Sequence, residues 1–441
     1  MESTPLYTAL LRHTKVGRSA FHTPGHVGAL PHLAELYHLD VTELPDTDSL
    51  YEASGAILQA ERQAAEVFGA ARTLFSAGGC TLCIQTMLRL VTMSGKRTIL
   101  ADRVLHRSAV HTMALLGLTP VWLQRIPNAG AGFSGRITPQ QVAQQLAQNG
   151  DIAAVYLTSP DYFGVLADVS GIAQICKQYG VPLLVDNAHG AHLGLTQPDL
   201  HPLHLGADMT ACSAHKTLPV LTGGAFLNLA VDNEQAKSAM ALFGSTSPSY
   251  PVMASLDLCV DWIRAQGQQA FFELQDKVAQ IRALAVERGI AMPEGETDPV
   301  RITLQTASIG VSGQEAAALF QTHLVEPEYA DDASVVLIAT PFHTEQDFAR
   351  VTAAITALPQ YEPIVQPDAL PRQPESVLPV QQAIFAAWEW VPINQSIGRI
   401  AADAACPCPP GVPVVMPGEQ ITEEIACFLK RYRFTTIKVV K

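Results

Sequence analysis

The feature that most constrains the fold of this 441-residue chain is a regular alternation of short apolar runs with amphipathic helical segments. Apolar runs at residues 97–102, 119–126, 152–160 and 181–186 have the length and composition of buried strands, and a helical segment separates each from the next. Alternation of this kind, with short connections, is typical of a doubly wound, mostly parallel sheet. We therefore predict an α/β fold for the larger part of the chain.

Two successive apolar runs end in residues with ionisable or nucleophilic side chains. The first ends in Asp186, and the second ends in Ser213, His215 and Lys216. Ligands of open α/β sheets bind at the carboxyl ends of the strands. A lysine, an acid, a hydroxyl and an imidazole are the groups that a pyridoxal phosphate (PLP) site uses for the Schiff base, the pyridinium nitrogen and the phosphate. Taken singly, Asp186 could cap a loop and Lys216 could be a solvated surface lysine.

A glycine turn at Gly78 and Gly79 joins a predicted strand to an amphipathic helix within residues 74–91. Such a turn presents free backbone N–H groups and a favourable helix dipole to an anion. Cys80 and Thr81 would supply the first-turn N–H groups, and Thr81 a hydroxyl as well. A Gly-Gly pair before a helix is a weak signal by itself.

The character of the chain changes after Tyr250, where residues 251–289 predict two long helical stretches. The last module is predicted to contain helices at residues 380–391 and 422–432, with Trp388 and Trp390 in a core or an interface. The predicted division is an N-terminal arm and large PLP-binding domain at 1–250, crossing helices and a small α/β lobe at 251–357, a proline-rich linker at 358–380, and a C-terminal module at 381–441.

Composition excludes several classes of protein. Hydrophobic residues make up 48% of the chain and charged residues 16%, which indicates a well-buried globular protein, with some surface hidden in an oligomer. The formal charge of −13 disfavours a nucleic-acid partner and mildly favours a cationic substrate. Apolar stretches of membrane-spanning or signal-peptide length are lacking, so we expect no membrane partner and a cytoplasmic location.

A zinc site is the alternative that the cysteines and histidines raise. Cys80 and Cys83 have CxxC spacing, and residues 189–192 and 201–204 both have HxxH spacing. No second cysteine pair supports zinc, and the glycine turn gives Cys80 a better use. The eight scattered cysteines are better explained as reduced thiols, and no metal is expected.

Several segments together resemble the ornithine/lysine/arginine decarboxylases, which are fold type I PLP enzymes related to aspartate aminotransferase. They span nearly the whole chain in the family's order, without the N-terminal receiver-like domain of the longer members, so the chain is similar to a short form. The matching segments are residues 21–28 (FHTPGHVG), 42–50 (TELPDTDSL), 68–81 (FGAARTLFSAGGCT), 105–110 (LHRSAV), 158–164 (TSPDYFG), 185–193 (VDNAHGAHL), 213–218 (SAHKTL), 245–257 (STSPSYPVMASLD) and 409–422 (PPGVPVVMPGEQIT).

The resemblance implies a role for each matching residue. Lys216 would bind PLP covalently, and Asp186 would pair with the pyridinium nitrogen. His106 would stack on one face of the cofactor ring and Ala188 on the other, although a histidine at this position is more often an ordinary helix-start residue. Four residues would hold the phosphate: Cys80, Thr81, Ser213 and His215.

The resemblance also implies a homodimer or higher homo-oligomer with the active site at the interface. Ser245 and Thr246 correspond to the segment that reaches the phosphate of a neighbouring subunit. The reaction would release CO2 from lysine, ornithine or arginine and give an amine, as in polyamine biosynthesis. Lys216, His215 or an unidentified acid would then protonate the α-carbon.

A carboxylate is needed for the distal cation of such a substrate. The candidates within family motifs are Glu43, Asp46, Asp48 and Glu419, and a structural role is the equal alternative for each.

Four positions depart from the family pattern: Val27, Cys80, Asn187 and Cys408. The change at Cys80 leaves the backbone N–H intact, so it should weaken phosphate binding only slightly. Val27 and Cys408 lie where substrate contacts are expected. Two other functions stay open, since a fold does not fix which bond breaks: another PLP reaction such as that of an aminotransferase, aldolase or lyase, and a non-catalytic binding or regulatory scaffold.

Overall fold

The computed structural model describes residues 3–15, 24, 34–127, 135–365, 371–406 and 412–441. Val27 and Cys408 lie outside these ranges, as does most of the first family segment.

The strands of the described residues are short and mostly buried. In chain order they are β1 (Arg72–Ser76), β2 (Thr98–Asp102), β3 (Thr119–Leu123), β4 (Ile126–Pro127), β5 (Gly135–Arg136), β6 (Ile152–Thr158), β7 (Leu183–Asp186), β8 (Met209–Cys212), β9 (Ala225–Leu229), β10 (Arg301–Leu304), β11 (Tyr329–Ala330), β12 (Val335–Ile338), β13 (Trp388–Pro392) and β14 (Thr436–Val440).

The helices vary from single turns to the 20 residues of Gln268–Glu287. Among the described residues, none combines the length and the apolar character that crossing a bilayer requires. In chain order they are α1 (Pro5–Lys15), α2 (Ala34–Tyr37), α3 (Ala56–Val67), α4 (Gly79–Val91), α5 (Arg107–Leu116), α6 (Pro139–Gln148), α7 (Val169–Tyr179), α8 (Ala214–Thr217), α9 (Ala236–Ala241), α10 (Tyr250–Trp262), α11 (Gln268–Glu287), α12 (Gly313–Thr322), α13 (Glu345–Ala357), α14 (Val380–Phe385) and α15 (Glu423–Arg431).

The largest sheet has seven strands in the order β1-β9-β8-β7-β6-β2-β3. The pairs β7–β8, β2–β6 and β2–β3 are parallel, whereas β9 runs antiparallel to both β1 and β8. The connection between β8 and β9 holds the short helix α8 with Lys216. The predicted α/β fold with a mostly parallel sheet is thus confirmed.

The direction of β9 has a consequence for the site. Since β1 and β8 are both antiparallel to β9, they run parallel to each other, and β8 runs parallel to β7. The carboxyl ends of β1, β7 and β8 therefore lie at the same edge of the sheet. All four residues of β7 are buried, as is typical of strands covered on both faces.

The chain divides into two compact units. One consists of Met1–Leu90 with Leu183–Gln275, and it contains β1, β7, β8 and β9. The other consists of Val91–Pro182 with Asp276–Lys441, and it contains a three-stranded sheet in the order β10-β12-β11 and the two-stranded sheet β13-β14. The domain boundaries that we place at residues 250, 357 and 380 stay predictions.

The C-terminal module departs from the sequence prediction at residues 380–391. Helix α14 ends at Phe385, and residues 388–392 form β13, which pairs antiparallel with β14. The apolar pattern changes there to a period of two, and the tryptophans and Val391 favour a strand. Trp388 and Trp390 are 45% and 61% exposed, so they do not lie in the core of this chain, and an interface position for them stays a prediction.

Candidate active site

The carboxylate of Asp186 lies at the carboxyl end of β7 and is only 2% exposed. Its Oδ1 accepts a hydrogen bond from the backbone N–H of Ala188 at 3.1 Å, and the thiol of Cys80 lies 4.0 Å from the same oxygen. Burial of this kind is costly for an ionised carboxylate unless hydrogen bonds or a cation compensate it. Asp186 is therefore placed to interact with a cationic partner at the sheet edge.

Lys216 reaches the loop that follows β7. It lies in α8, directly after β8, and β8 pairs with β7 in parallel so that Asp186 is opposite Ala211. The Nζ of Lys216 is 2.8 Å from Nε2 of His189, a buried residue of the β7 loop. The structure thus brings the amine of Lys216 to the loop that begins at Asp186, as the sequence pattern predicts for the two strand ends.

Helix α4 begins at the same edge, directly after β1. Gly79 has a φ of +69°, which favours glycine, and its N–H donates to the carbonyl of Gly223 at 2.8 Å. A Cβ built at Gly79 would meet no atom of the described residues within 4 Å, so the helix start faces open space. The N–H groups of Cys80 and Thr81 belong to the first turn and have no intrahelical acceptor.

Ser213 and His215 flank the start of α8. The Ser213 side chain makes no capping hydrogen bond to that helix. Nδ1 of His215 lies 3.2 Å from the carbonyl oxygen of Gly224, and burial lowers the pKa of this imidazole. A neutral ring that donates from Nδ1 leaves Nε2 as an acceptor. Contact between His215 and a phosphate therefore requires a second proton on the ring, which a bound anion would favour.

A buried group of thiols and amides lies behind Asp186. The Sγ of Cys212 accepts from Nδ2 of Asn187 at 3.3 Å and from Nδ2 of Asn228 at 3.6 Å. Burial raises the pKa of Cys212 to about 11, and burial together with the charge of Asp186 raises the pKa of Cys80 well above its usual range. Both thiols are therefore protonated at neutral pH.

The four candidate acids for the substrate differ in their surroundings. The Asp48 carboxylate accepts hydrogen bonds from backbone N–H groups that include those of Gly55 and Ile57, both at 2.9 Å, and it holds the start of α3. Glu419 is 1% exposed and binds both terminal nitrogens of Arg103, at 2.6 and 2.7 Å. The structure therefore favours the structural alternative for these two residues.

The other two acids are exposed. Oδ2 of Asp46 lies 3.0 Å from Nδ1 of His13. Burial, followed by the nearby charge of Glu43, raises the pKa of the Tyr250 phenol. Their roles in substrate binding stay predictions.

Four further residues have positions that leave their predicted roles open. His106 is the N-cap of α5, where its Nδ1 accepts from the N–H of Ser108 at 3.2 Å. This contact is expected of an ordinary helix-start histidine, which is the alternative to a role in stacking on the cofactor. Ala188 follows the buried Asn187 in the β7 loop. Ser245 and Thr246 are exposed, and Ser245 Oγ accepts from the N–H of Ser247 at 3.2 Å. Their contacts with PLP or with a second subunit stay predictions.

His189 is the residue that sequence reasoning missed. Its position three residues after Asp186 in the segment DNAHGAH is visible in the sequence, but we considered it only as part of an HxxH zinc motif. Among the described residues, no group of three or more His, Cys, Asp and Glu side chains is arranged to hold a metal ion. The contact that indicates a function for His189 is the one with Lys216. It forms because the segments that follow β7 and β8 lie next to each other.

The residues at this edge fit PLP. Asp186 suits the pyridine nitrogen, and the amine of Lys216 suits the aldehyde carbon. The open start of α4, with the Ser213 side chain that does not cap α8, suits a phosphate.

Comparison with known proteins assigns the chain to a family. Residues 4–291 match the profile described as Orn/Lys/Arg decarboxylase, major domain, and residues 366–436 match Orn/Lys/Arg decarboxylase, C-terminal domain. The arginine decarboxylase of Bacillus subtilis (strain 168) is 30% identical over 96% of this chain and 92% of that protein. The uncharacterized protein YaaO of the same organism is 32% identical over 97% of this chain and 94% of that protein.

Solved structures agree on the fold. The crystal structure of the lysine decarboxylase LdcF of Francisella novicida has a TM-score of 0.82 at 18% identity, covering 99% of this chain and 81% of that one. This chain thus belongs to the Orn/Lys/Arg decarboxylase family. It is a decarboxylase of basic amino acids, and family membership implies PLP as its cofactor.

Proposed function

We propose that this chain decarboxylates arginine to agmatine and CO2, with PLP held covalently by Lys216. The observation that carries the proposal is the meeting of three elements at one sheet edge: the end of β7 with Asp186, the Lys216 amine against the β7 loop, and the open start of α4. A solvated surface lysine does not account for the Lys216 amine 2.8 Å from a buried histidine. The hydrogen bond from the N–H of Ala188 to Asp186 is a loop contact of the kind that the alternative for Asp186 predicts, so the proposal rests on where the three elements meet.

Each residue has a defined task in the proposed reaction. PLP, when bound, supplies a conjugated system that accepts the electron pair of the bond to the carboxylate. Asp186 holds the proton on the pyridine nitrogen and so keeps the ring electron-withdrawing. Ser213 and the first-turn N–H groups of α4 hold the phosphate. Lys216 gives way to the substrate amine, and its own amine is then available for proton transfer.

Arginine is the proposed substrate because relatives named arginine decarboxylases are more similar to this chain than those named lysine decarboxylases. The former, from Bacillus subtilis, Bacillus anthracis, Halalkalibacterium halodurans and Bacillus cereus, are 28–30% identical and are covered to 92–96% of their length. The latter, from Escherichia coli and Pseudomonas aeruginosa, are 22–23% identical and are covered to 75–76%. The net charge of −13 agrees with a cationic substrate.

A substrate screen tests the proposal. Purified protein with added PLP is given arginine, lysine or ornithine without any oxo acid, and both CO2 and the amine are measured. We expect equal amounts of CO2 and agmatine from arginine, with slower or no release from the other two. Preference for lysine or ornithine would overturn the substrate, and a requirement for an oxo acid acceptor would indicate transamination instead of decarboxylation.

The proposal extends to assembly and location. We propose a homodimer in which Ser245 and Thr246 contribute to the phosphate site of the neighbouring subunit, and their exposure agrees with this. We also propose a cytoplasmic location, which the unpaired buried thiols of Cys80, Cys83, Cys212 and Cys259 support, because disulfides are rare in reducing compartments.

A further inference from the structure

His189 is held next to Lys216 by a tight turn after β7. The N–H of Gly190 donates to the carbonyl of Asn187 at 2.9 Å, and Nδ2 of Asn187 donates to the carbonyl of Gly190 at 3.0 Å. Between these two residues the His189 side chain is 6% exposed, and its Nε2 lies 2.8 Å from Nζ of Lys216. The contact therefore joins the buried turn after β7 to the half-buried Lys216 of α8.

A nitrogen–nitrogen distance of 2.8 Å fits a hydrogen bond in which one nitrogen donates and the other accepts. When the pair carries one positive charge, either an ammonium N–H of Lys216 donates to the lone pair of Nε2, or a protonated imidazole donates from Nε2 to the amine lone pair. The two states differ by the position of one proton along the contact. The pair can thus pass a proton in either direction without rearrangement.

We propose that His189 is the proton partner of Lys216 and supplies, through Nζ, the proton that the substrate α-carbon takes up after CO2 leaves. The inference rests on the proposed function. The bond between the α-carbon and the carboxylate breaks, and its electron pair forms the new C–H bond with a proton from Nζ. Nζ regains a proton from Nε2 of His189, and His189 regains one from solvent, so each turnover consumes one proton.

His215, which directly precedes Lys216 in the sequence, is less suited to this task. Its Nδ1 faces the carbonyl oxygen of Gly224 at 3.2 Å, and its predicted role is to hold the phosphate. His189 instead contacts the reacting amine itself. It therefore acts on the α-carbon through Lys216, as a proton-delivering and positioning residue.

A single-turnover measurement separates this role from a structural one. His189→Gln keeps a polar side chain of similar reach but cannot accept and release a proton. With carboxyl-labelled arginine, or whichever basic amino acid the wild type decarboxylates, we expect CO2 release close to the wild-type rate. Amine formation should be slower by a factor of about 10² to 10⁴, the usual contribution of a general acid. Added imidazole should partly restore amine formation in His189→Ala.

Controls distinguish the possible outcomes. His204→Gln removes a partly exposed imidazole of the same unit, which contacts Asp199 and the carbonyl of Phe68, and it should leave both rates unchanged. If His189→Gln binds PLP normally but slows CO2 and amine formation equally, or slows neither, the relay is wrong. If His189→Ala does not fold, His189→Gln alone decides. If the wild type releases no CO2 from any basic amino acid, the proposed function itself fails.

Discussion

At the scale of single residues, the chemistry depends on how a buried carboxylate and a neighbouring amine are charged. Asp186 is 2% exposed, and the thiol of Cys80, 4.0 Å from its Oδ1, remains protonated and can only donate weakly. An ionised carboxylate this deeply buried costs several kcal/mol unless a strong donor or cation meets it. A pyridinium N–H is both, so the placement of Asp186 suits the cofactor that family membership implies.

Replacing Asp186 by Asn should retain the fold and lose most of the activity, because a neutral amide cannot hold the pyridinium proton. We expect kcat to fall by a factor of about 10² to 10³, as for the loss of other key electrostatic groups. Asp208→Asn is the matched control, since Asp208 accepts from the N–H of Leu183 at 2.8 Å, at the opposite end of β7. Near-normal turnover in Asp186→Asn, measured with PLP bound, would contradict the role of Asp186.

Replacing Cys80 by Ser should change PLP affinity by less than about tenfold, in the direction of tighter binding. The hydroxyl is a better donor than the thiol, a single hydrogen bond is worth about 1 kcal/mol, and the backbone N–H is unchanged. PLP titration of the apoenzyme measures the effect, with Cys427→Ser as an exposed-cysteine control. A hundredfold loss of affinity would show that the thiol itself is required.

At the scale of secondary-structure elements, α1 is fixed to α10 by a buried acid. Asp257 on α10 is fully buried, and its Oδ2 accepts from the N–H of Tyr7 at 3.0 Å, in the first turn of α1. Its Oδ1 has no hydrogen-bond partner among the described residues. Burial raises the pKa of Asp257 to about 7, so the folded protein retains a proton that the unfolded chain releases near pH 4.

This difference predicts how stability depends on pH. Between about pH 4 and pH 7 the folded state binds more protons than the unfolded state, so the free energy of unfolding falls as pH rises through this window. The slope is at most about 1.4 kcal/mol per pH unit. Asp257→Asn should lack this pH dependence. Its free energy of unfolding, compared with that of the wild type, should therefore be more favourable at pH 8 than at pH 5.

Urea unfolding at pH 5 and pH 8 measures the free energy of unfolding of each variant. Asp276→Asn, which replaces an exposed acid of α11, is the control. An unchanged pH dependence in Asp257→Asn would show that Asp257 is not the group responsible.

The elements that sequence alone predicts well are those whose pattern is local. The apolar runs of β2, β6 and β7, and the capping box of Thr138 and Gln141 at the start of α6, are visible within a few residues. The strand β13 was predicted as part of a helix because its apolar residues directly follow those of α14, and the weak local preference for a strand is supported by pairing with the distant β14.

Contacts between distant segments are what sequence does not supply. The Lys216–His189 pair joins α8 to the loop after β7, and the Glu419 carboxylate contacts Arg103, which is 316 residues away in the chain. Asp186 and Lys216 were found because strand ends of a parallel sheet share an edge, which is a general rule of the fold. Which side chains contact each other at that edge depends on the conformations of the loops.

At the scale of the whole molecule, the proposed shared site predicts that two inactive variants restore each other. Mixing Lys216→Ala with Thr246→Asp, whose new charge repels the phosphate, gives some heterodimers with one site in which both segments are wild type. Activity should appear in proportion to the heterodimers formed.

Mixing Lys216→Ala with Asp186→Asn is the control. Lys216 and Asp186 of one site come from the same chain, so each site of these heterodimers still carries one of the two substitutions. No recovered activity in the first mixture after demonstrated subunit exchange, or a fully active monomer, would contradict the shared site.

The most direct test of the account is where PLP becomes attached. The holoenzyme is reduced with borohydride, digested, and its peptides are analysed by mass spectrometry. Because Lys216 is the lysine whose amine faces the loop of Asp186, we predict one modified peptide that contains Lys216, and none from Lys216→Ala. Modification of a different lysine, or retention of the label in Lys216→Ala, would contradict the assignment on which the proposed chemistry depends.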